Sequence, residues 1–299
     1  MGKVFKALNK FKGVSPEIDS AAETSLQNKT EEEFEASSSV QPSNKVEQQL
    51  HSTPKSVAPQ TKTVPSGQWD EKLLTFSEPG SVFSENIRKL RTRILHPGTA
   101  EPFKKILVTS ALPGAGKSFT CANLGIAIAQ GLEHHALLVD CDLRRPNLAA
   151  WFGVASQDGR GLVNYLRDDE DLGDLIMKTG MEKLSIIPGG TPPPNPAEVL
   201  GTTRVGQMFA QLENRYDDRF IIIDTPPAML ANEVFVLARH ADAVVVVVRW
   251  GGGGKEQVKQ LVDSIGREKL IGVVFNGYQT NFFSTQLSGY NEYAQYSYK

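Results

Sequence analysis

Residues 104–118 read KKILVTSALPGAGKS, and this stretch decides the fold. Its first half is an apolar run of strand length, and its second half is a glycine turn that leads into a helical pattern. Gly114 and Gly116 allow backbone N–H groups to point inward around phosphate oxygens, whereas Lys117 neutralises charge on the β- and γ-phosphates. Ser118 stands at the helix start, where it can ligate Mg²⁺. The stretch therefore predicts a strand, a phosphate-binding loop and a helix.

The loop departs from the strict phosphate-loop pattern at one position, because Ala111 stands where that pattern has glycine. A Gly-Lys-Ser triplet alone is a weak signal, since such short motifs also occur in ordinary glycine-rich turns. Here an apolar strand precedes the loop and a helical pattern follows it over Lys117–Gln130. That context favours a phosphate-binding loop over an ordinary turn.

Strand and helix patterns alternate along the rest of the chain, and this order predicts an α/β fold with a mostly parallel, doubly wound sheet. Continuous apolar runs predict strands at Lys104–Thr109, Ala136–Asp142, Leu184–Pro188, Phe220–Asp224, Ala243–Val248 and Ile271–Phe275. Helical periodicity predicts helices at Lys117–Gln130, Val205–Arg215, Glu233–Arg239 and Lys255–Ile265. A further helical stretch ends before Pro97.

Two of the predicted strands end in aspartates, in the runs LLVDCDLRRP and FIIIDTPP. Because the carboxyl ends of parallel strands meet at one edge of a sheet, Asp140, Asp142 and Asp224 should converge on the phosphate loop. Asp224 suits a Mg²⁺ ligand, whereas Asp140 and Asp142 alternate across their predicted strand and so should have different roles. Strand-end aspartates also form turns. Three of them around one phosphate loop favour a catalytic site.

The bulk composition excludes several classes of protein. A formal net charge of −2 over 299 residues gives no general attraction for nucleic acid or anionic lipid. The two cysteines, Cys121 and Cys141, fit a reducing compartment better than a disulfide framework. No run approaches the ~20 apolar residues that span a bilayer, so we expect any membrane role to come through a partner.

The two ends of the chain differ from its middle. Residues 1–68 combine a basic amphipathic helix pattern, MGKVFKALNKFKG, with a Ser-, Thr-, Gln- and Pro-rich stretch that is typical of disordered linkers. Residues 69–279 carry the α/β pattern. Residues 280–299 form a tail in which four of the seven tyrosines fall within the last ten residues. Taken alone, such a tail fits aromatic residues that pack on the core, or an interaction peptide, better than it fits a phosphate acceptor.

The runs PGAGKS, LLVDCDLRRP, IPGGTPPPNPAEVL and FIIIDTPP together resemble the bacterial tyrosine kinases that govern capsule and exopolysaccharide export. The resemblance extends from about Ser84 to the C-terminus. It implies a P-loop NTPase of the deviant-Walker, partition-ATPase-like type that uses ATP and Mg²⁺. The implied reaction is autophosphorylation of protein tyrosine.

The resemblance also implies roles for individual residues. The implied catalytic residues are Lys117, Asp140, Asp142 and Asp224, of which Asp140 would orient or deprotonate the incoming tyrosine hydroxyl. The implied Mg²⁺ ligands are Ser118, Asp142 and Asp224. The implied nucleotide-binding residues are Gly114, Ala115, Gly116, Lys117, Ser118, Phe119, Arg144 and Asn276. Asn276 resembles the asparagine that contacts adenine in related ATPases, and its position fits a turn former equally well. The implied phosphate acceptors are Tyr290, Tyr293, Tyr296 and Tyr298, and the implied ring-assembly residues are Glu85, Arg88 and Arg91.

The partners that the resemblance implies are other copies of the chain in a ring, a membrane-anchored polysaccharide co-polymerase that activates the kinase, and a cognate tyrosine phosphatase. Nucleic acid is not among them. The implied location is the cytoplasm, at the inner face of the plasma membrane. Two positions depart from the family: Ala115 stands where members usually have Glu, and Asn232-Glu233 stands where they commonly have Asp.

Two other functions remain open on the sequence. One is a ParA- or MinD-like positioning ATPase, although these carry an extra lysine at the place of Leu112 and lack a tyrosine tail. The other is a nucleotide-binding scaffold for a membrane export complex, against which the three aspartates argue. Phosphotyrosine on the tail would distinguish the kinase from both.

Overall fold

A computed structural model describes residues 69–98, 103–154, 157–252 and 254–278 of the chain. The basic helix and linker expected in residues 1–68 and the tail expected in residues 280–299 lie outside these described residues. Within the described part, no helix combines the length and the apolar character needed to cross a membrane.

The centre of the fold is a seven-stranded sheet with the order β3-β4-β2-β5-β1-β6-β7. All neighbouring strands are parallel except β3 and β4. The strands are β1 (Lys105–Thr109), β2 (His135–Asp140), β3 (Met177–Lys178), β4 (Leu184–Ile187), β5 (Arg219–Asp224), β6 (Ala243–Arg249) and β7 (Leu270–Asn276). The mostly parallel sheet predicted from the sequence is confirmed.

Helices cover the sheet on both faces. They are α1 (Leu74–Ser77), α2 (Val82–Leu95), α3 (Lys117–Ala129), α4 (Leu148–Trp151), α5 (Leu162–Asp168), α6 (Pro196–Leu200), α7 (Arg204–Arg215), α8 (Glu233–His240) and α9 (Lys255–Ile265). Short 3₁₀ turns span Gln157–Gly159, Leu172–Leu175 and Arg267–Lys269. The four helices and six strands predicted from the sequence are all present, with ends that shift by two residues at most.

Each face of the sheet has its own apolar core. Helix α3 packs on one face against alternate strand residues such as Ile106 and Val245. Helices α7, α8 and α9 contribute to the core on the other face, which includes Leu107 and Val244. Because successive strand residues point to opposite faces, the unbroken valine run of β6 serves both cores. This arrangement confirms the doubly wound fold.

Helix α3 is buried on nearly every side because the chain before β1 covers its outer surface. Asn123, with no exposed surface, links the two parts: its Oδ1 accepts a hydrogen bond from the Thr75 N–H (2.8 Å), and its Nδ2 donates to the Lys72 carbonyl (3.0 Å). The pairing satisfies buried polar groups on both sides. It fixes α3, and with it the end of the phosphate loop.

The predicted end of one strand was wrong in a way that affects the site. The strand that was predicted to reach Asp142 ends at Asp140. The Asp140 carboxylate accepts a hydrogen bond from the Asp142 N–H at 3.2 Å, and the Arg145 N–H donates to the Asp142 carbonyl at 3.0 Å, so the chain turns there. Asp142 therefore lies in a turn, and its role does not follow from alternation along a strand.

Candidate active site

The phosphate loop connects β1 to α3 at the carboxyl edge of the sheet. Gly114 and Gly116 have φ values of +70° and +93°, in the left-handed region that favours glycine. A Cβ on Gly116 would lie 1.9 Å from Nδ2 of Asn276, so a side chain is excluded there. Ala111 has no positive φ, which explains why alanine is accepted at the position of the first glycine.

Neighbouring segments hold the loop in place. The Ala228 N–H donates to the Ser110 carbonyl at 2.8 Å, and the Met229 N–H donates to the Ala111 carbonyl at 3.2 Å. The segment that follows β5 is thus tied to the first residues of the loop. On the other side of the loop, Nδ2 of Asn276 donates to the Ala115 carbonyl at 2.9 Å. These bonds give the loop a fixed shape before any ligand binds.

Lys117 opens helix α3, and its side chain is almost fully enclosed. Burial lowers the pKa of its ammonium group, and the charges of Asp224 and Asp142 oppose that decrease. Both aspartates therefore act electrostatically on the lysine. A cation held in this way is ready to meet phosphate oxygens without further rearrangement.

Asp224, the last residue of β5, is buried, and neither of its carboxylate oxygens makes a hydrogen bond of standard geometry in the described structure, although the Ser118 hydroxyl lies nearby. Burial raises its pKa to about 7, although the nearby Ser118 hydroxyl and Lys117 ammonium partly oppose the rise. A buried carboxylate that lacks partners destabilises the folded state unless a ligand binds to its oxygens. This orphaned pair of oxygens fits a bound Mg²⁺ or one of its waters.

The described residues do not form a complete cage of protein ligands for a metal. The described residues contain no group of three or more His, Cys, Asp or Glu side chains that could hold an ion. Mg²⁺ is usually held by one or two carboxylates together with phosphate oxygens and waters. Ser118 and Asp224 therefore fit the role of ligands that act together with a bound nucleotide.

Asp140 has another environment. It lies beside Asp224 in the register of β2 and β5 and is buried. Its Oδ2 accepts hydrogen bonds from the N–H groups of Asn147 (3.0 Å) and Leu148 (3.1 Å), while its Oδ1 accepts from Asp142. Burial and the Asp224 charge raise the pKa of Asp140 well above its usual range, although the hydrogen bonds from the Asn147 and Leu148 N–H groups act to lower it. Asp140 therefore shapes the turn that carries Asp142.

Arg144 contacts an acid that the sequence analysis did not assign. Its Nε and one terminal nitrogen each lie 3.0 Å from Oε1 of Glu233, at the start of α8. The Glu233 side chain is 1% exposed, whereas that of Arg144 is 43% exposed. Oε2 of Glu233 has no hydrogen-bond partner in the described structure. At the Asn232-Glu233 position, Glu233 is the first residue of α8, and the exposed Asn232 precedes the helix.

Two other residues that the sequence predicted to bind nucleotide, Asn276 and Phe119, lie in different surroundings. Asn276 lies against the loop through the bond to Ala115 described above. The Phe119 ring packs on Phe83, with ring centroids 4.9 Å apart. The Phe119 side chain is therefore part of the contact between α2 and α3.

Comparison with known proteins identifies the family. Residues 103–270 match the AAA domain family. The tyrosine-protein kinase YwqD of Bacillus subtilis is 31% identical over 229 residues, which cover 76% of this chain and 92% of YwqD. The chain belongs to the bacterial tyrosine-protein kinase family. The expected family is thereby confirmed.

Solved structures share the fold of this kinase. The chimerical protein CapA2B2 has 31% sequence identity and a TM-score of 0.63, and the match covers 74% of this chain and 96% of that one. The septum site-determining protein MinD of Pyrococcus horikoshii has 23% identity and a TM-score of 0.50, over 59% of this chain and 71% of MinD. The second likeness concerns the fold alone, and it agrees with the partition-ATPase-like class expected from the sequence.

Some relatives of the kinase are much longer. The tyrosine-protein kinase Wzc of Salmonella typhimurium is 30% identical over 228 residues, which are 76% of this chain and 31% of Wzc. The chain therefore spans about a third of the length of that relative.

The residues expected to assemble the ring lie on α2. Arg88 forms an ion pair with Glu85 and also donates to the Pro79 carbonyl. Arg91 donates to the Ala127 carbonyl of α3 at 2.8 Å. Within one chain the two arginines are thus held by local partners. The expected acceptors Tyr290, Tyr293, Tyr296 and Tyr298 lie outside the described residues.

The Arg144–Glu233 pair should respond unequally to loss of its two members. Arg144→Ala would leave the enclosed Glu233 carboxylate without a cation and should cost about 2–4 kcal/mol of unfolding free energy. Glu233→Gln would leave a half-exposed guanidinium that water can solvate, and should cost about 1 kcal/mol or less. Urea unfolding of both variants measures the difference. Equal costs, or a larger cost for Glu233→Gln, would contradict the importance of Glu233 burial.

Proposed function

We propose that this kinase transfers the terminal phosphate of ATP to tyrosines at its own C-terminus, Tyr290, Tyr293, Tyr296 and Tyr298, and that the transfer runs between neighbouring chains. The observation that carries the proposal is the enclosed Lys117, which lies beside Asp142 and the unpartnered Asp224 at the phosphate loop. A site with these groups can hold a nucleotide and a metal. The clustered tyrosines supply acceptors on the same chain.

Phosphoryl transfer needs charge neutralisation and in-line placement more than covalent help from the protein. In the proposed site, Lys117 and the N–H groups of the loop bind the β- and γ-phosphates. Ser118 and Asp224 would hold Mg²⁺, which when bound neutralises charge on the phosphates. The rigid loop then fixes the direction in which the terminal phosphate faces the acceptor.

The acceptor hydroxyl needs a group that takes its proton, since a phenol with a pKa near 10 is protonated at neutral pH. The resemblance pointed to Asp140 for this role. The three backbone hydrogen bonds to Asp140 and its burial favour Asp142, whose side chain is partly exposed and lies in the turn that Asp140 holds. We therefore assign Asp142 to the hydroxyl and Asp140 to positioning it.

The tail is long enough for either route of transfer. The residues between Asn276 and Tyr290 can extend roughly 45 Å at ~3.3 Å per residue. Reach therefore permits transfer within a chain and between chains. A ring assembled partly through Glu85, Arg88 and Arg91, as in the family that the sequence resembles, favours transfer between chains.

The wider role that we propose is control of exopolysaccharide or capsule polymerisation and export. The proposed partners are a membrane-anchored co-polymerase that activates the kinase and a phosphatase that removes the phosphates. The proposed location is the cytoplasmic face of the plasma membrane, reached through that activator. A positioning ATPase is disfavoured because the phosphate loop has Leu112 where such proteins carry a second lysine.

Mapping phosphotyrosine by mass spectrometry tests the proposal. After incubation with ATP and Mg²⁺, we expect phosphate on the last ten residues of the full chain. A mixture tests the route: a Lys117→Met chain with an intact tail should be labelled by a chain whose four tail tyrosines are replaced by Phe. ATP hydrolysis without tail labelling would indicate a positioning ATPase, and neither activity would indicate a scaffold.

A further inference from the structure

Arg249, the last residue of β6, lies next to the phosphate loop. One terminal nitrogen of its guanidinium is 4.0 Å from the place that a Cβ on Gly114 would occupy. In the register of the sheet, Arg249 pairs with Asn276 on β7, and Asn276 hydrogen-bonds the loop at Ala115. Two neighbouring strands thus each present one polar side chain to the same side of the loop.

The alternation along β6 supports this placement. Val247 belongs to the core on the α3 face, and Val248 packs against the core on the opposite face. The next residue, Arg249, therefore returns to the α3 face, where the phosphate loop leads into its helix. The nearness of Arg249 to Gly114 is thus fixed by the strand.

Among the described residues, the guanidinium of Arg249 has no hydrogen-bond or ion-pair partner. The residue is exposed, and no carboxylate of the described residues forms an ion pair with it. Arg144, the other arginine assigned to the site, is engaged by Glu233. An arginine presents five N–H donors in a planar array that suits phosphate oxygens. Arg249 therefore has donors available for a ligand.

The negative charge of the site favours a second positively charged side chain near the loop. Within the loop SALPGAGKS, Lys117 is the single charged residue, because position 112 is leucine. Asp142 and Asp224 act electrostatically on that one lysine, and a nucleoside triphosphate adds further negative charge. A second cation near the terminal phosphate would offset this excess.

We propose that Arg249 binds the terminal phosphate of the nucleoside triphosphate and so makes the site prefer the triphosphate over the diphosphate. The inference rests on the proposed function in taking ATP as the ligand. It assigns to β6 the second positive charge that positioning ATPases carry within the loop. The sequence signal was an arginine at the carboxyl end of a buried strand, which was passed over because it belongs to no motif.

The test compares the binding of three ligands, each with Mg²⁺, to the full chain by calorimetry. Arg249→Gln should weaken binding of ATP and of inorganic tripolyphosphate roughly tenfold or more, as loss of one charge-assisted hydrogen bond predicts, and should change binding of ADP less than about twofold. Arg249→Lys should restore part of the loss. Arg239→Gln, which removes an exposed charge from the last turn of α8, serves as the matched control and should change none of the three.

Three results would overturn the inference: unchanged ATP binding in Arg249→Gln, an equal loss for ATP and ADP, or a loss for nucleotides without a loss for tripolyphosphate. The last of these would place Arg249 at the base or ribose. Failure of the proposed function is separable, because it appears as missing tail phosphotyrosine in the unsubstituted chain. A chain that prefers ATP through Arg249 but labels no tyrosine would keep this inference and lose the kinase proposal.

Discussion

A Lys117→Met chain should transfer roughly a thousandfold less phosphate to tyrosine than the unsubstituted chain. The ammonium group is enclosed beside Asp142 and Asp224, so water cannot replace it at the phosphates. Removing one preorganised charge from such a site typically costs a factor of 10²–10³ or more in rate. Methionine fills nearly the same volume, which keeps the packing at the start of α3. The rate of tail labelling at saturating ATP measures the effect.

Lys183→Met provides the matched control. Lys183 is likewise anchored at α3, since its Nζ donates to the carbonyls of Gly131 (2.6 Å) and Leu132 (2.8 Å) just beyond the other end of the helix. Its loss should lower stability slightly and leave the labelling rate within about twofold. If Lys117→Met labels the tail at the unsubstituted rate while remaining folded, the assignment of the phosphate site is wrong.

The features that the sequence predicted are those that local patterns determine. The buried strands appear in the sequence as apolar runs. Gly114, Gly116 and Lys117, which lie within four residues of one another, identify the phosphate loop. Convergence of Asp140 and Asp224 followed from the rule that parallel strands end at one edge. The register of β2 with β5, which pairs these two residues, confirms their adjacency.

The features that were missed depend on contacts between distant segments. Glu233 gave no signal as a partner of Arg144, because 89 residues separate them. The turn at Asp142 arises from its own N–H bonding back to Asp140, which a strand pattern does not show. The short helix Leu162–Asp168 was missed because seven residues cover barely two turns and give little periodicity. The nearness of Arg249 to the phosphate loop is evident only in the folded structure.

An Asp224→Asn chain should transfer phosphate at least roughly a hundredfold more slowly, and should need more Mg²⁺ to do so. The two orphaned oxygens of Asp224 are the best-placed protein ligands for the ion, and an amide offers a single, neutral oxygen. Labelling rates across a Mg²⁺ titration measure both changes. Asp263→Asn, at an exposed ion pair on α9, is the control and should follow the unsubstituted chain.

The same Asp224→Asn variant should be more stable than the unsubstituted chain when nucleotide and metal are absent, and the difference should depend on pH. The folded pKa of Asp224, about 7, exceeds the value near 3.9 of an unfolded aspartate. The folded state therefore binds more protons between these values, so the contribution of Asp224 to stability is full below about pH 4 and is lost as the pH rises through 7.

The size of this loss is on the order of 4 kcal/mol at most, and asparagine, which does not titrate, avoids it. Urea unfolding of both chains from pH 5 to pH 8 should show the advantage of the variant growing with pH. Saturating Mg²⁺ and ATP should reverse the order, because the ligand binds the folded unsubstituted chain more tightly. A constant difference across this range would show that Asp224 is not an acid destabilised by its burial. The Asp224 carboxylate would then have no burial cost for a bound metal to offset.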